Sequence, residues 1–246
     1  MHPIIFKLGP VTIYSYGLMI FIAIITCLHL LVKEARSLGY DKDLIFDLGI
    51  TIIFSGIIGA RLLYVLLNLD FYLRSPKEIF MLTHGGLAIL GGIVIALIAA
   101  FIFTKLKKMP FFVTLDLIAP YVALGQSIGR IGCFLNGCCY GFPCEIGSYF
   151  PVHEAILFPV QLLSSFLLLI LFILLRIKQY RPHSKGMVFV SYILYYSFLR
   201  FLIEFIRADS VRLMFDLTVF QYFCIVLFFF GLILSYRIKW KSRISK

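Results

Sequence analysis

Seven apolar runs alternate with short polar intervals along the chain: Val11 to Val32, Leu44 to Asn68, Gly85 to Thr104, Phe111 to Ile131, Phe158 to Arg176, Gly186 to Ile206 and Phe215 to Tyr236. Each is close to the roughly 20 residues that a helix needs to cross a bilayer. The fourth is interrupted by Asp116, Pro120 and Gln126. No internal repeat or low-complexity linker divides the runs. The pattern predicts an all-α polytopic membrane protein with seven transmembrane helices in a single domain, residues 1–246. No small-residue cleavage site follows the first run, so that run is expected to remain as a span.

Composition agrees. The chain is 61% hydrophobic and only 14% charged, with a mean hydropathy of +1.00. A net charge of +11 in a soluble protein would point to nucleic acid. In this apolar background it points to basic loops lying against anionic headgroups, with no nucleic-acid partner.

Those loops set an expected orientation. The intervals after the first, third and fifth runs, together with the tail, carry fifteen Lys and Arg, against five on the other side. By the positive-inside bias the C-terminus is cytoplasmic and the N-terminus outside. Arg61, Arg130, Arg200 and Glu204 then fall in the outer halves of helices running outward. Tyr14, Tyr16, His84 and Gln161 fall near the outer starts of helices running inward. The intramembrane polar residues converge on one leaflet, which marks a site facing the outer one.

Gly125 to Gly141 closes an apolar run yet holds five glycines, Arg130, Asn136 and three cysteines. An intramembrane arginine is costly unless it meets an anion or water. Arg130 has no carboxylate within one turn and is flanked by glycines, so it reads as a ligand-binding charge. A guanidinium suits a phosphate, and the phosphate at hand in a bilayer belongs to a lipid. Two readings stay open for Arg200: contact with the same ligand, or pairing with Glu204 four residues on. Arg61 either joins the ligand or snorkels to the interface. Gly85-Gly86 after His84, at an expected helix start, offers free N–H groups to a phosphate. Gly91-Gly92 reads as close helix packing.

Cys133-x4-Cys138-Cys139-x4-Cys144 lacks a C-x2-C arrangement, and adjacent cysteines ligate one metal poorly, so neither a metal nor another cofactor is expected. A disulfide from Cys138 or Cys139 to Cys144 and a set of buried free thiols remain equal alternatives. A general base would come from His84, His153, Glu145, Glu154 or Glu204. Tyr16 serves either as an interface anchor or as a phosphate donor.

Gly129-Arg130-Ile131-Gly132-x-Phe134-x-Asn136-Gly137-x-x-Tyr140-Gly141 resembles the signature of the bacterial prolipoprotein diacylglyceryl transferase family. Further pieces agree in order: Ile13-x-x-Tyr16-Gly17-Leu18, Gly59-Ala60-Arg61-x-x-Tyr64-Val65, Gly85-Gly86-Leu87 with Gly91-Gly92, Pro159-x-Gln161-Leu162, and Arg200-Phe201-x-x-Glu204-Phe205-x-Arg207. The resemblance implies a plasma-membrane transferase. It would move diacylglyceryl from phosphatidylglycerol to the lipobox cysteine of a prolipoprotein, forming a thioether. It implies that Arg130 binds the lipid phosphate and Arg200 assists at the headgroup, with Glu204 lining or bracing the cavity; the residues themselves add Glu204 and His84 as candidate catalytic groups. Tyr16, Arg61, Asn136, Gly141 and Gln161 would surround the substrates.

Three positions depart from the family pattern. Leu90 stands where a His is usual, Cys133 where Asn is usual, and Cys138 where an acidic residue follows Asn-Gly. Leu90 removes a candidate base, and His84 replaces it only if it projects into the same cavity. Two other functions compete: a non-catalytic protein that binds or moves anionic lipid, and a membrane thiol–redox protein built on Cys133 to Cys144.

Overall fold

The computed structural model describes residues 1–8, 11–81 and 85–244. β1 (Ile4–Leu8) and β2 (Val11–Tyr14) pair antiparallel, with Ile4 opposite Tyr14 and Lys7 opposite Thr12. The Val-Thr-Ile-Tyr run favours a strand through its β-branched and aromatic side chains. It therefore takes the first four residues predicted as helix, and α1 spans Ser15–Ser37. Ser15 marks the switch, donating its backbone N–H to Pro3 O at 2.9 Å.

α1 stops where Gly39 adopts φ +77°, a left-handed C-terminal turn. α2 (Lys42–Leu67) starts on an Asp41 side chain that accepts from Asp43 N at 2.9 Å. The short α3 (Leu69–Arg74) and a 3₁₀ turn at Pro76–Phe80 follow. α4 (Ile89–Leu106) begins four residues later than the sequence predicts, because Gly85 and Gly86 sit at φ +80° and +81°, outside right-handed helix.

α5 (Phe111–Asn136) runs five residues beyond the predicted end and carries most of the signature stretch. β3 (Pro143–Phe150) and β4 (Ala155–Leu157) form a second small antiparallel pair. α6 (Val160–Tyr180), α7 (Met187–Glu204) and α8 (Val219–Ile244) complete the chain. α8 begins at a reciprocal cap: Gln221 N donates to Thr218 Oγ1 at 3.3 Å, and Thr218 N donates to Gln221 Oε1 at 2.8 Å.

Among the described residues, seven helices (α1, α2, α4, α5, α6, α7 and α8) are long and apolar enough to cross a membrane. Their outward side chains, among them Phe21, Phe54, Ile98, Phe166, Phe198 and Phe229, are exposed, which suits hydrocarbon rather than water. The protein is a multi-pass, all-α membrane protein. The two hairpins are small additions that the hydropathy pattern did not predict.

The chain forms two compact units, residues 32–114 and residues 1–31 with 115–246. In the first, α2 and α4 meet along a glycine seam. A Cβ on Gly91 would lie 2.4 Å from Gly59 O, and one on Gly92 would lie 2.8 Å from Gly56 O. This is the close packing expected for Gly91-Gly92.

In the second unit, Ala119 and Ala123 of α5, Leu168, Leu171 and Leu175 of α6, and Val188 of α7 form the core. Polar contacts lock the same helices. Ser127 and Ser165 each donate to the other's carbonyl, at 2.7 and 2.9 Å. Asp116 accepts from Gly186 N at 2.5 Å and Phe189 N at 2.8 Å, so a carboxylate of α5 caps the start of α7. His183 adds a contact at 3.7 Å. Gln126 accepts from Tyr192 Oη at 3.1 Å. Two of the polar interruptions of the fourth run are thus helix-to-helix fasteners.

Candidate active site

Arg200 and Glu204 stand one turn apart on α7 and pair at 2.7 Å, both buried. Glu204 also takes Arg207 Nη1 at 3.4 Å and the Ser210 hydroxyl at 2.6 Å. Arg207 turns its Nε and Nη2 onto Asp209 at 2.9 and 3.0 Å. Two positive and two negative charges cancel in this network, and every bond in it is charge-assisted. Of the two readings for Arg200, the carboxylate pair is therefore realised. The Arg200 guanidinium also lies 5.3 Å from the centre of the Phe220 ring.

Arg130 differs. It forms no hydrogen bond or ion pair among the described residues. It shares a cleft with Arg200, walled by Ser164, Leu168 and Tyr196. The cleft encloses about 10 Å³, room for about one water. A phosphate must part these side chains to enter. An unspent guanidinium beside a neutralised one supplies the net positive charge of the site.

Past Asn136 the chain doubles back. Gly137 takes φ +76° and Cys139 φ +65°, both left-handed. The turn brings Cys138 and Cys139 to Cys133 on the last turn of α5, and the three Sγ atoms lie within 4.8 Å of one another. Cys138 Sγ also reaches Cys133 O at 3.7 Å. Hydrogen bonds from Cys133 and Cys138 hold the Cys139 thiol well below its ordinary pKa, and the charges of Arg207 and Arg130 act in the same direction. Cys144 is not in this group, and all six cysteines are free thiols, so the disulfide to Cys144 considered from the sequence is not formed.

Gln161, fully buried at the start of α6, donates Nε2 to Cys138 O at 2.6 Å. Its Oε1 has no hydrogen-bond partner among the described residues. Tyr16 packs against Gly132, where a Cβ would come within 3.3 Å of its ring, and it feels the charges of Arg130 and of the three cysteines. His153 is spent on the turn, 3.2 Å from Gly137 O and against the Tyr140 ring.

Gly141 supports the site rather than lining it. A Cβ there would sit 2.6 Å from Val160 Cγ2 and 3.0 Å from Ile206 O. Its absence lets Gly141 bridge to Arg207, with Ala208 N donating to Tyr140 O at 3.1 Å. The cysteine turn and the charge network are thereby sewn together. Arg207 is the residue the sequence undervalued, since it stands there only as the end of the Arg200 motif with no role of its own.

Arg61 belongs to the other compact unit, and all its donors are used. Nε donates to Ile79 O at 3.0 Å, Nη1 to Gly85 O at 2.6 Å and Gly86 O at 2.9 Å, and Nη2 to Met81 O at 3.2 Å and to Glu78 O. Its guanidinium lies over Tyr72. Arg61 thus neither snorkels nor keeps a free donor; it gathers the segment before α4. Gly85-Gly86 correspondingly offers carbonyls to Arg61, and because α4 starts at Ile89 it is not the helix start expected from the sequence. His84 lies outside the described residues.

Seven apolar helices with a neutralised charge network, beside one uncompensated arginine at the end of a helix, define an integral membrane protein equipped to hold an anionic group. The chain matches the family description "Prolipoprotein diacylglyceryl transferase" over residues 3–237. It is 37% identical over 217 residues to a phosphatidylglycerol–prolipoprotein diacylglyceryl transferase of Clostridium tetani, covering 85% of this chain and 86% of the relative. It is 35% identical over 264 residues to the protein of that name from Lysinibacillus sphaericus, covering 98% and 94%. With the Lactiplantibacillus plantarum protein of the same name it shares 33% over 243 residues, covering 93% and 86%. The chain belongs to the prolipoprotein diacylglyceryl transferase family.

Proposed function

We propose that this protein transfers the diacylglyceryl group of phosphatidylglycerol to the thiol of a prolipoprotein's lipobox cysteine. The observation that carries this reading is the unpaired Arg130 on the signature helix, in a cleft beside an Arg200 already neutralised by Glu204. In the reaction the acceptor sulfur attacks the glyceryl carbon bound to the phosphate oxygen. The C–O bond breaks and glycerol phosphate leaves. Negative charge gathers on that leaving group, and a guanidinium placed in advance lowers the barrier to its departure.

Arg130 holds the phosphate. Arg200, fixed by Glu204, presents the rest of its guanidinium to the same cleft. Glu204 shares its two oxygens among Arg200, Arg207 and Ser210, which makes it a positioning residue. Tyr16 packs where Gly132 leaves room and Asn136 ends α5 just before the cysteine turn, while Gln161 holds the turn through Cys138 O and Gly141 through its bridge to Arg207. Arg61 braces the segment before α4. His84 stays a candidate base on the sequence argument alone. The basic loops support an active site in the outer leaflet of the bacterial plasma membrane, within one transmembrane domain of 246 residues.

The test uses purified protein with phosphatidylglycerol and a synthetic lipobox peptide, read by mass spectrometry. The expected product is a peptide carrying diacylglyceryl on its cysteine. Arg130→Ala should slow its formation by at least about 100-fold, as losing a charge-stabilising donor does. Wild-type turnover in that variant would remove Arg130 from the mechanism, and no adduct from folded protein would refute the transfer itself.

A further inference from the structure

We propose that Cys133, Cys138 and Cys139 bind a thiophilic divalent cation, zinc first, whose fourth position is open to the thiol of the acceptor peptide. The identity of the fourth ligand rests on the transferase reading; the three-cysteine site does not.

The sequence argues against a metal because adjacent side chains normally diverge. The backbone removes that objection. Cys139 is held at φ +65°, a left-handed conformation that an L-residue with a Cβ adopts only at an energetic cost. This turn swings Cys138 and Cys139 to the same side, toward Cys133. Local strain of this kind persists where the surroundings enforce it and clusters at functional sites. The surroundings here are specific: Cys133 O on the Cys138 thiol, Gln161 on the Cys138 carbonyl, and His153 on Gly137 O. These are the outer contacts that orient metal ligands.

The distances fit. Zinc–thiolate bonds of about 2.3 Å in a tetrahedron place sulfurs about 3.8 Å apart. Three Sγ atoms already within 4.8 Å of one another need to close by less than about an ångström to reach that. Charge fits as well. Three thiolates and one Zn²⁺ carry a net negative charge, and Arg130 and Arg207 both act on this cluster. The group supplies three protein ligands, the number typical of zinc sites that keep a position for substrate.

That position answers a need of the chemistry. A thiol attacks carbon as the thiolate, and the described residues that wall the Arg130 cleft include no His and no carboxylate to take its proton. Metal coordination is another way to activate a thiol. The acceptor thiol binds zinc and releases its proton to water. Its sulfur pair then forms the bond to the glyceryl carbon, and the C–O pair departs with glycerol phosphate. Zinc keeps its oxidation state. Arg130 and Cys133 lie three residues apart on α5, on one helix face, so phosphate and sulfur would be held side by side.

The experiment uses the full chain purified in detergent without chelator. Metal content is measured, and Co²⁺ is then titrated into protein stripped of metal. The expected result is one zinc per chain. Co²⁺ should give thiolate-to-metal charge-transfer absorption and the intense visible bands of a tetrahedral site. Both should be lost in Cys138→Ser and Cys139→Ser and kept in Cys144→Ser. Because a serine variant can misfold, alkylation mapping of the wild type gives a second readout: Zn²⁺ should protect Cys133, Cys138 and Cys139 and leave Cys144 reactive. Adding lipobox peptide should shift the visible bands, and a peptide with serine for cysteine should not.

Unchanged alkylation with and without Zn²⁺, or a disulfide among the three in metal-free protein as purified, would overturn the site. A peptide that leaves the Co²⁺ bands unmoved would overturn the open fourth position. The two readings fail separately. Peptide lipidation at full rate in metal-free protein sinks the role of the metal and leaves the transferase. A metal site that responds to peptide without any lipid adduct sinks the transferase and leaves the site.

Discussion

Glu204 is the residue on which the charge network turns. It is buried and answers to Arg200, Arg207 and Ser210 together. Glu204→Ala leaves a buried guanidinium without its counter-ion, a change that costs about 3–5 kcal/mol when one partner of a buried pair is removed. Thermal unfolding of the purified protein should show a clear drop for Glu204→Ala and a smaller one for Glu204→Gln, which can still accept from Ser210. Equal melting of all three would mean the network is not holding the fold. The Arg200–Glu204 half of this network was legible in the sequence, because four residues on one helix is a local spacing. The Arg207 half was not, since it depends on how the chain leaves α7. Arg61 was legible only as a charge: its acceptors lie 17 to 25 residues away in sequence, on backbone with no side-chain signal. The clustering of Cys133, Cys138 and Cys139 was not legible for a similar reason, since spacing rules assume ordinary backbone and Cys139 is left-handed.

Among the helices, the α2–α4 pair is fixed by missing side chains. A Cβ on Gly59 would stand 2.5 Å from Ile95 Cβ and 2.6 Å from Gly91 O, so Gly59→Ala has to push two helices apart. Gly17 of α1 has nothing within 4 Å of its would-be Cβ. Gly17→Ala should therefore keep or raise the melting temperature, by up to about 1 kcal/mol of helix propensity, while Gly59→Ala should lower it. If both variants melt like wild type, the seam is looser than its geometry. The existence of all seven spans could be read from hydropathy, which reports length and polarity. Their ends could not. Strand pairing took Val11–Tyr14, left-handed glycines delayed α4, and the Thr218–Gln221 cap moved the start of α8 from Phe215 to Val219. Each of these is a hydrogen-bond or torsional choice made inside an apolar run, where hydropathy does not change.

For the whole molecule, the excess of basic residues on one set of loops, fifteen against five, predicts a cytoplasmic C-terminus. A fluorescent protein fused there should glow, and a phosphatase that works only after export should be silent; the opposite pattern would turn the site toward the inner leaflet. One fastener also imposes an order on biosynthesis. Asp116 leaves the ribosome 70 residues ahead of Gly186, whose N–H it accepts. For that interval a carboxylate waits at the start of α5 with its backbone partners unmade. A nascent chain stalled before α7 thus displays a lone acid near the bilayer, and one that has passed α7 does not. The contact that joins the start of α5 to the start of α7 is thus made only after α6 has been synthesised, which places it late in the assembly of the fold.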